Sequence, residues 1–296
     1  ITLTALTADY GDLPLRLRAP TTLSMTGGVT SLGATALSLA GQTLNLEGQY
    51  GPSRVRAQLM ATDWQLEPLV SALDLPAVTG AVSLSADLNA TRQSVDFTSS
   101  FDLANVSMDA SQQAGLPVYA MTGEARWDGR QFTIDVNGRD TSGQAPIRVQ
   151  AALPVTAQRR AEAALSGVRL APNAPLTGSI TGTIDVALAN QLIEAAGHRL
   201  AGQLAIDLAL AGTVGAPGLS GAITMAEGRY RNLLHGVAFD QITVQMNGSL
   251  EGLVIDQLSA VAVNGGTIEG TGQISFGEDA PLDIQVAFNN AQMVQS

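Results

Sequence analysis

The chain has 296 residues and a formal net charge of −11, and all 15 of its basic residues are arginine. An acidic chain whose longest basic run is Arg159-Arg160 excludes a phosphate-tracking nucleic-acid surface and is a poor candidate for electrostatic attachment to anionic headgroups. With 45% hydrophobic residues disorder is excluded as well, and with no cysteine there is no disulfide framework, thiolate metal site or thiol nucleophile.

Taken in chain order, the pattern is apolar alternation at period two, which places one greasy and one wetter face on each strand. Alternating segments are predicted around residues 43 to 50, and then at Val82, Leu84, Ala86 and Leu88. Further ones follow around residues 95 to 103, 131 to 136, 146 to 153 and 180 to 188. The clearest is Leu204, Ile206, Leu208 and Leu210, set between Ala205, Asp207 and Ala209. Ile242, Val244 and Met246 continue the pattern, and Leu282, Ile284, Val286 and Phe288 end it. Turn signals such as Asn247-Gly248, Asn264-Gly265 and Ala216-Pro217-Gly218 separate the segments at short intervals. Strands in immediate succession imply antiparallel meander and not a doubly wound sheet.

Only two stretches carry helical spacing. From Asp63 to Leu75, Leu66, Leu69, Val70 and Leu73 fall at i, i+3, i+4 and i+7, with Pro68 in the first turn. Around Asn190, which can cap, Leu192, Ile193 and Ala196 form a short stripe that Gly197 can stop. A shift of 122 residues superposes Gly80 on Gly202, Val82 on Leu204, Leu84 on Ile206, Leu88 on Leu210 and Thr91 on Thr213. A module of helix, glycine and alternating strand is thus loosely duplicated, over residues 62–91 and 190–213.

No constellation carries catalytic chemistry. His198 and His235, the only histidines, have no acidic partner at metal-ligand spacing, and they read as ordinary loop residues. The run Gly265-Gly266-Thr267-Ile268-Glu269-Gly270-Thr271-Gly272 lacks Gly-x-Gly-x-x-Gly spacing and a Lys-Ser/Thr partner. It reads as a turn and a strand with small residues on one side. Ser24, Ser166 and Ser220 sit in no nucleophile elbow. The expectation is a protein that is not an enzyme and holds no metal or cofactor.

The stretch Gly212-Thr213-Val214-Gly215-Ala216-Pro217-Gly218-Leu219-Ser220-Gly221-Ala222-Ile223 resembles the GT…P.L.G.I signature of the TamB/AsmA-like family. Glu227-Gly228-Arg229-Tyr230, Gly236 and Phe239 follow it. Leu253 to Val263 and Gly265 to Phe276 then supply a similar "L…L.A…GG.I.G.G.I.F" continuation. The resemblance is specific over residues 200 to 277. It implies an all-β, elongated antiparallel β-taco: a U-shaped sheet with an apolar groove, here with two short helices, over residues 1–296. The chain begins at Ile1 without a signal-peptide pattern, and we read it as one segment of a longer protein.

The resemblance further implies a bridge-like carrier of phospholipid between the inner and outer membranes that supports outer-membrane assembly. The location implied is the periplasm, with the full-length protein anchored in the inner membrane. The partners implied are phospholipid acyl chains and an Omp85-type, TamA-like outer-membrane protein, reached through a C-terminal region absent from this chain. Leu204, Ile206, Leu208 and Leu210 would line the groove, joined by Ile223 and Met225. Ile242, Val244, Met246, Ile268, Ile274 and Phe276 would share that face, as would Leu282, Ile284, Val286 and Phe288. At about 4.8 Å per strand, roughly 20 strands would make a trough on the order of 100 Å long, with open edges that invite association.

Two other classes fit less of the pattern. The alternative is a structural β-helix or sandwich segment of a secreted or autotransported surface protein. A β-helix needs a short constant repeat, and the turn spacing is irregular. Closed sandwiches would give the same alternation with protein filling the apolar face. An outer-membrane barrel needs aromatic girdles, and two Trp, four Tyr and six Phe are too few and too dispersed.

Overall fold

Side chains that alternate at period two give a sheet one wet and one dry face, and this chain uses almost its whole length that way. The computed structural model describes residues 1–10, 13–72, 78–108, 119–140, 146–161, 163–193, 197–249, 252–263, 265–275 and 282–290. It is all-β, with helix confined to a few short turns, and the strands pair antiparallel. The chain divides into two compact units: residues 1–109, 118–141 and 152–174 form the first, and residues 110–117, 142–151 and 175–296 the second.

The first unit begins with β1 (Thr2–Leu3), β2 (Thr7–Tyr10), β3 (Leu13–Leu17) and β4 (Thr21–Thr26). A meander of long strands follows: β5 (Val29–Leu39), β6 (Gln42–Tyr50), β7 (Arg54–Gln65), β8 (Val78–Thr91), β9 (Val95–Met108), β10 (Tyr119–Trp127) and β11 (Gln131–Asp140). Residues directly opposite one another on antiparallel strands project to the same face, so register decides which side chains meet. One row runs Leu17, Leu37, Leu44, Ala61, Leu84, Phe101, Gly123 and Val136 across β3 and β5 to β11. A second row on the same face, one row removed, runs Ala57, Leu88, Phe97, Trp127 and Phe132. The other face carries Ser83, Asp102, Thr122 and Asn137 in one row and Ser85, Ser100, Glu124 and Asp135 in the next.

One margin of this apolar face is closed by a hairpin of β12 (Ile147–Arg160) and β13 (Ala163–Leu170); residues 147–151 of β12 belong to the second unit. The hairpin hydrogen-bonds to three turns that lie at the same end of the meander. Ala164 N donates to Gly51 O in the β6–β7 turn, Arg92 Nη2 in the β8–β9 turn donates to Ala161 O, and Ala157 N donates to Gly129 O in the β10–β11 turn. Beneath it Val55, Ala90, Val95, Trp127, Ala157, Ala164 and Leu165 form a buried cluster. Apolar surface removed from water in such a cluster stabilises by about 25 cal/mol per Å².

The first helical stretch is shorter than its spacing predicts. Strand β7 runs through Gln65, and Trp64 packs inward from it, donating its indole N–H to Thr43 O at 2.7 Å. The helix spans Glu67–Ala72, and Leu73 to Leu75 lie outside the described residues. The ladder outcompetes the helical spacing because Trp64 gains burial and a partner for its N–H only in the strand.

The second unit is a meander of β14 (Thr177–Asp185), β15 (His198–Thr213), β16 (Ala216–Asn232), β17 (Val237–Gly248), β18 (Gly252–Ala262), β19 (Thr267–Ser275) and β20 (Leu282–Asn289). The alternation expected to 188 stops at Asp185. There the side chain accepts from Ala187 N at 2.9 Å and starts a 3-10 turn, Val186–Ala189, that leads into a helix at Asn190–Ile193. Asp185, and not Asn190, is the capping residue. Asn190 instead donates its Nδ2 to Leu200 O at 2.7 Å.

Candidate functional site

The candidate site is the apolar face of the second unit, and two rows define it. The first is Ile184, Leu204, Met225, Val244, Leu258, Gly270 and Val286. The second is Gly182, Ile206, Ile223, Met246, Ile255, Gly272 and Ile284. Each row crosses every strand from β14 to β20. Leu208 faces Ile180 beside them, Leu210 faces Leu219, Ile274 lies between Leu253 and Leu282, and Ile268 lies between Ala260 and Phe288. Register thus brings the expected side chains onto one face, apart from Phe276, which lies outside the described residues, as does Asn264.

Three devices keep this face continuous. At Gly228, β16 bulges against β17, and the Met225 thioether and Ile242 lie over the space that a side chain there would fill. Met225 Sδ lies equally close to the space beside Gly202, where β15 bulges against β16. A flexible, polarizable side chain suits these irregular gaps. Gly270 and Gly272 make the third device, as small positions between Leu258 and Ile255 on one side and Val286 and Ile284 on the other.

Burial falls toward the last strand. Leu208, Ile242 and Ile268 are 5%, 9% and 7% exposed, whereas Leu204, Ile206, Met225, Val244 and Met246 are half-buried. On β20, Leu282, Ile284, Val286 and Phe288 are 63%, 41%, 42% and 54% exposed. Among the described residues no large side chain is completely buried, unlike the interior of a close-packed domain. The opposite face of the same strands carries Asp207, Gln245, Gln257 and Gln273, all exposed.

A hollow of about 640 Å³ in the first unit opens on the polar face, lined by Ser83, Ser85, Ser100, Asp102, Glu124 and Asp135 among others. Arg126 pairs with Glu124 at 2.8 Å, and both side chains are largely exposed. The lining is mixed, since Met60, Ala61, Leu84 and Phe101 border the same hollow.

His198 opens β15 and is not a loop residue, whereas His235 lies in the β16–β17 turn as expected, and both are hydrogen-bonded. Asn232, itself buried, donates Nδ2 to His198 Nδ1 at 3.2 Å, and Tyr230 Oη lies 2.6 Å from the same nitrogen. The Asn232 Oδ1 accepts from Leu234 N and His235 N at 3.0 and 2.9 Å and fixes the β16–β17 turn. Its partners are His198 on β15 and the turn residues Leu234 and His235, and the contact with His198, 34 residues away, leaves no mark in the sequence spacing. Among the described residues no group of three or more His, Asp or Glu is placed to hold a metal ion, and no helix is long and apolar enough to cross a membrane. No family model, no curated protein and no solved structure matches the chain.

Proposed function

We propose that the chain is a periplasmic lipid-transfer segment whose apolar face accommodates phospholipid acyl chains. The observation that carries this reading is the pair of rows, free of charged side chains, that crosses every strand from β14 to β20, where Ile255 is buried, Leu204, Ile206, Met225, Val244 and Met246 are half-buried, and Ile284 and Val286 are exposed. Each methylene moved into water costs about 0.8 kcal/mol, so a two-chain lipid with roughly 30 of them needs continuous cover. Rows without a charge supply cover that is equally good at every step, and that favours passage over tight holding. In this reading the sheet curves into a β-taco around the lipid, and the rows of the first unit serve as a second stretch of the same kind.

The periplasmic location, the inner-membrane anchor of the full-length protein and an Omp85-type partner rest on the resemblance at residues 200 to 277. Native mass spectrometry of the purified chain tests the central claim. Co-purifying phospholipid, displaced by fatty acid, is the expected result. A lipid-free chain that also fails to take up a fluorescent fatty acid sinks the reading.

A structural role is the second reading, favoured by the hairpin of β12 and β13. There protein fills the apolar face, as a closed sandwich requires.

A further inference from the structure

Cross-strand register on the polar face of the first unit sets Asn45, Met60, Ser85, Ser100, Glu124 and Asp135 in one row from β6 to β11. Three hollows lie along and beside this row. The one of about 640 Å³ shares Met60 and Ser85 with a second of about 390 Å³, and that one shares Glu47, Gln58 and Asp87 with a third of about 580 Å³. Together they make one furrow across β6 to β11, on the order of 25 Å long at about 4.8 Å per strand. An extended peptide of about seven residues has that length.

The furrow is acidic with an apolar centre. Six carboxylates border it, those of Glu47, Asp87, Asp96, Asp102, Glu124 and Asp135, against the guanidinium of Arg56. Arg126 pairs with Glu124 from the neighbouring row. Glu47, Asp96 and Asp102 are exposed and have no hydrogen-bond or ion-pair partner among the described residues. Met60 is 54% exposed in a row whose other members are polar, and its flexible thioether adapts to apolar groups of varied shape. A cationic partner relieves the repulsion among unpaired carboxylates, and an anionic one adds to it. A small polyamine would satisfy the carboxylates and leave Met60 unused. We infer that the furrow binds an extended basic segment of another polypeptide. One apolar side chain of that segment sits against Met60, and its lysines or arginines reach the carboxylates on either side. The inference is independent of what the apolar rows carry.

The probe is a fluorescently labelled seven-residue peptide with a central leucine flanked by lysines, followed by anisotropy at low salt. Saturable binding is expected. Glu47→Gln with Asp102→Asn is expected to weaken it about tenfold, the combined effect of two exposed charge pairs. Exchanging the central leucine for serine is expected to weaken binding several-fold to the unmodified chain and not at all to Met60→Ser. Asp207→Asn, on the polar face of the second unit, serves as the control for diffuse attraction and should change nothing. All these positions but Met60 carry polar side chains at the surface, and an unchanged melting temperature confirms that each variant is folded. A peptide that does not saturate overturns the inference. So does a loss as large with Asp207→Asn as with the furrow variants, or an effect of the central leucine that is the same with and without Met60.

Discussion

The ring of Phe101 lies over Gly123, its cross-strand partner, so closely that a Cβ on the glycine would lie 2.3 and 2.4 Å from two ring carbons. The pair sits near the β11 end of the apolar row that crosses β3 and β5 to β11, where Leu84 flanks Phe101 and Val136 flanks Gly123. A flat ring on a bare backbone fills the width of two positions with one side chain. Gly123→Val is expected to force the ring out and destabilise the first unit by about 1–3 kcal/mol. In a Phe101→Ala background the same change is expected to cost much less. Melting temperatures of the double-mutant cycle check this, and additive effects would mean the ring and the glycine are not coupled.

Trp127 anchors the hairpin that closes the margin of that face. Its indole N–H donates to Val155 O at 2.6 Å while the ring packs in the cluster beneath. Trp127→Phe keeps an aromatic ring of smaller size and removes the indole donor to Val155 O. The expected cost is about 1–2 kcal/mol, with faster hydrogen exchange at Ala157 and Ala164, whose amides bond to Gly129 O and Gly51 O. Unchanged exchange at those two amides would show that the hairpin is held without the indole.

Asp128 makes the β10–β11 turn dependent on pH. Its Oδ1 accepts from Gln131 N and Arg130 N at 2.7 and 2.8 Å, and these backbone bonds hold its carboxyl below the usual carboxylate range. A depressed folded-state value means that the stabilisation is present above the ordinary carboxylate range and lost as pH falls through the lowered value. Because the side chain is exposed, the effect is small. Asp128→Ala is expected to lower the melting temperature by a degree or two at neutral pH, on the order of what one turn hydrogen bond supplies. The gap should close in strong acid, and a gap that is constant with pH would exclude the carboxylate as its source.

Strands and faces were legible in the sequence because period two survives any register. Gly80 and Gly202 were legible as equivalents, 122 residues apart, and their backbones agree, with φ of +129° and +135°. Each sits at a register shift near the start of its strand, between Thr79 and Ala81 in one case and Ala201 and Gln203 in the other. Only glycine adopts that conformation without strain. The hairpin of β12 and β13 was not legible, since its alternation looks like that of any ladder strand while its partners are the turns at Gly51, Arg92 and Gly129. The Asp63–Gln65 stretch misled because Leu66, Leu69 and Val70 carry helical spacing while Trp64, just before them, is claimed by the sheet. Neither tertiary claim leaves a periodic trace.

Ile206 decides between a lipid-carrying face and a filled core. It lies in the second apolar row, flanked by Gly182 on β14 and Ile223 on β16, and is half-buried. Asp207 beside it points to the opposite face and is exposed. If acyl chains occupy the face, Ile206→Asp sets a charge in their path. The carboxylate keeps access to water when lipid is absent, so the chain should fold and melt normally while losing its co-purified lipid. If protein fills the face instead, the same change buries an unpaired charge and should cost several kcal/mol, enough to unfold a marginal unit. Asp207→Ser should be nearly silent in both cases. The measurements are the far-ultraviolet melt and the lipid content of each variant. A collapsed melt for Ile206→Asp would favour the structural role, and a normal melt with full lipid content would place the path of the acyl chains away from this row.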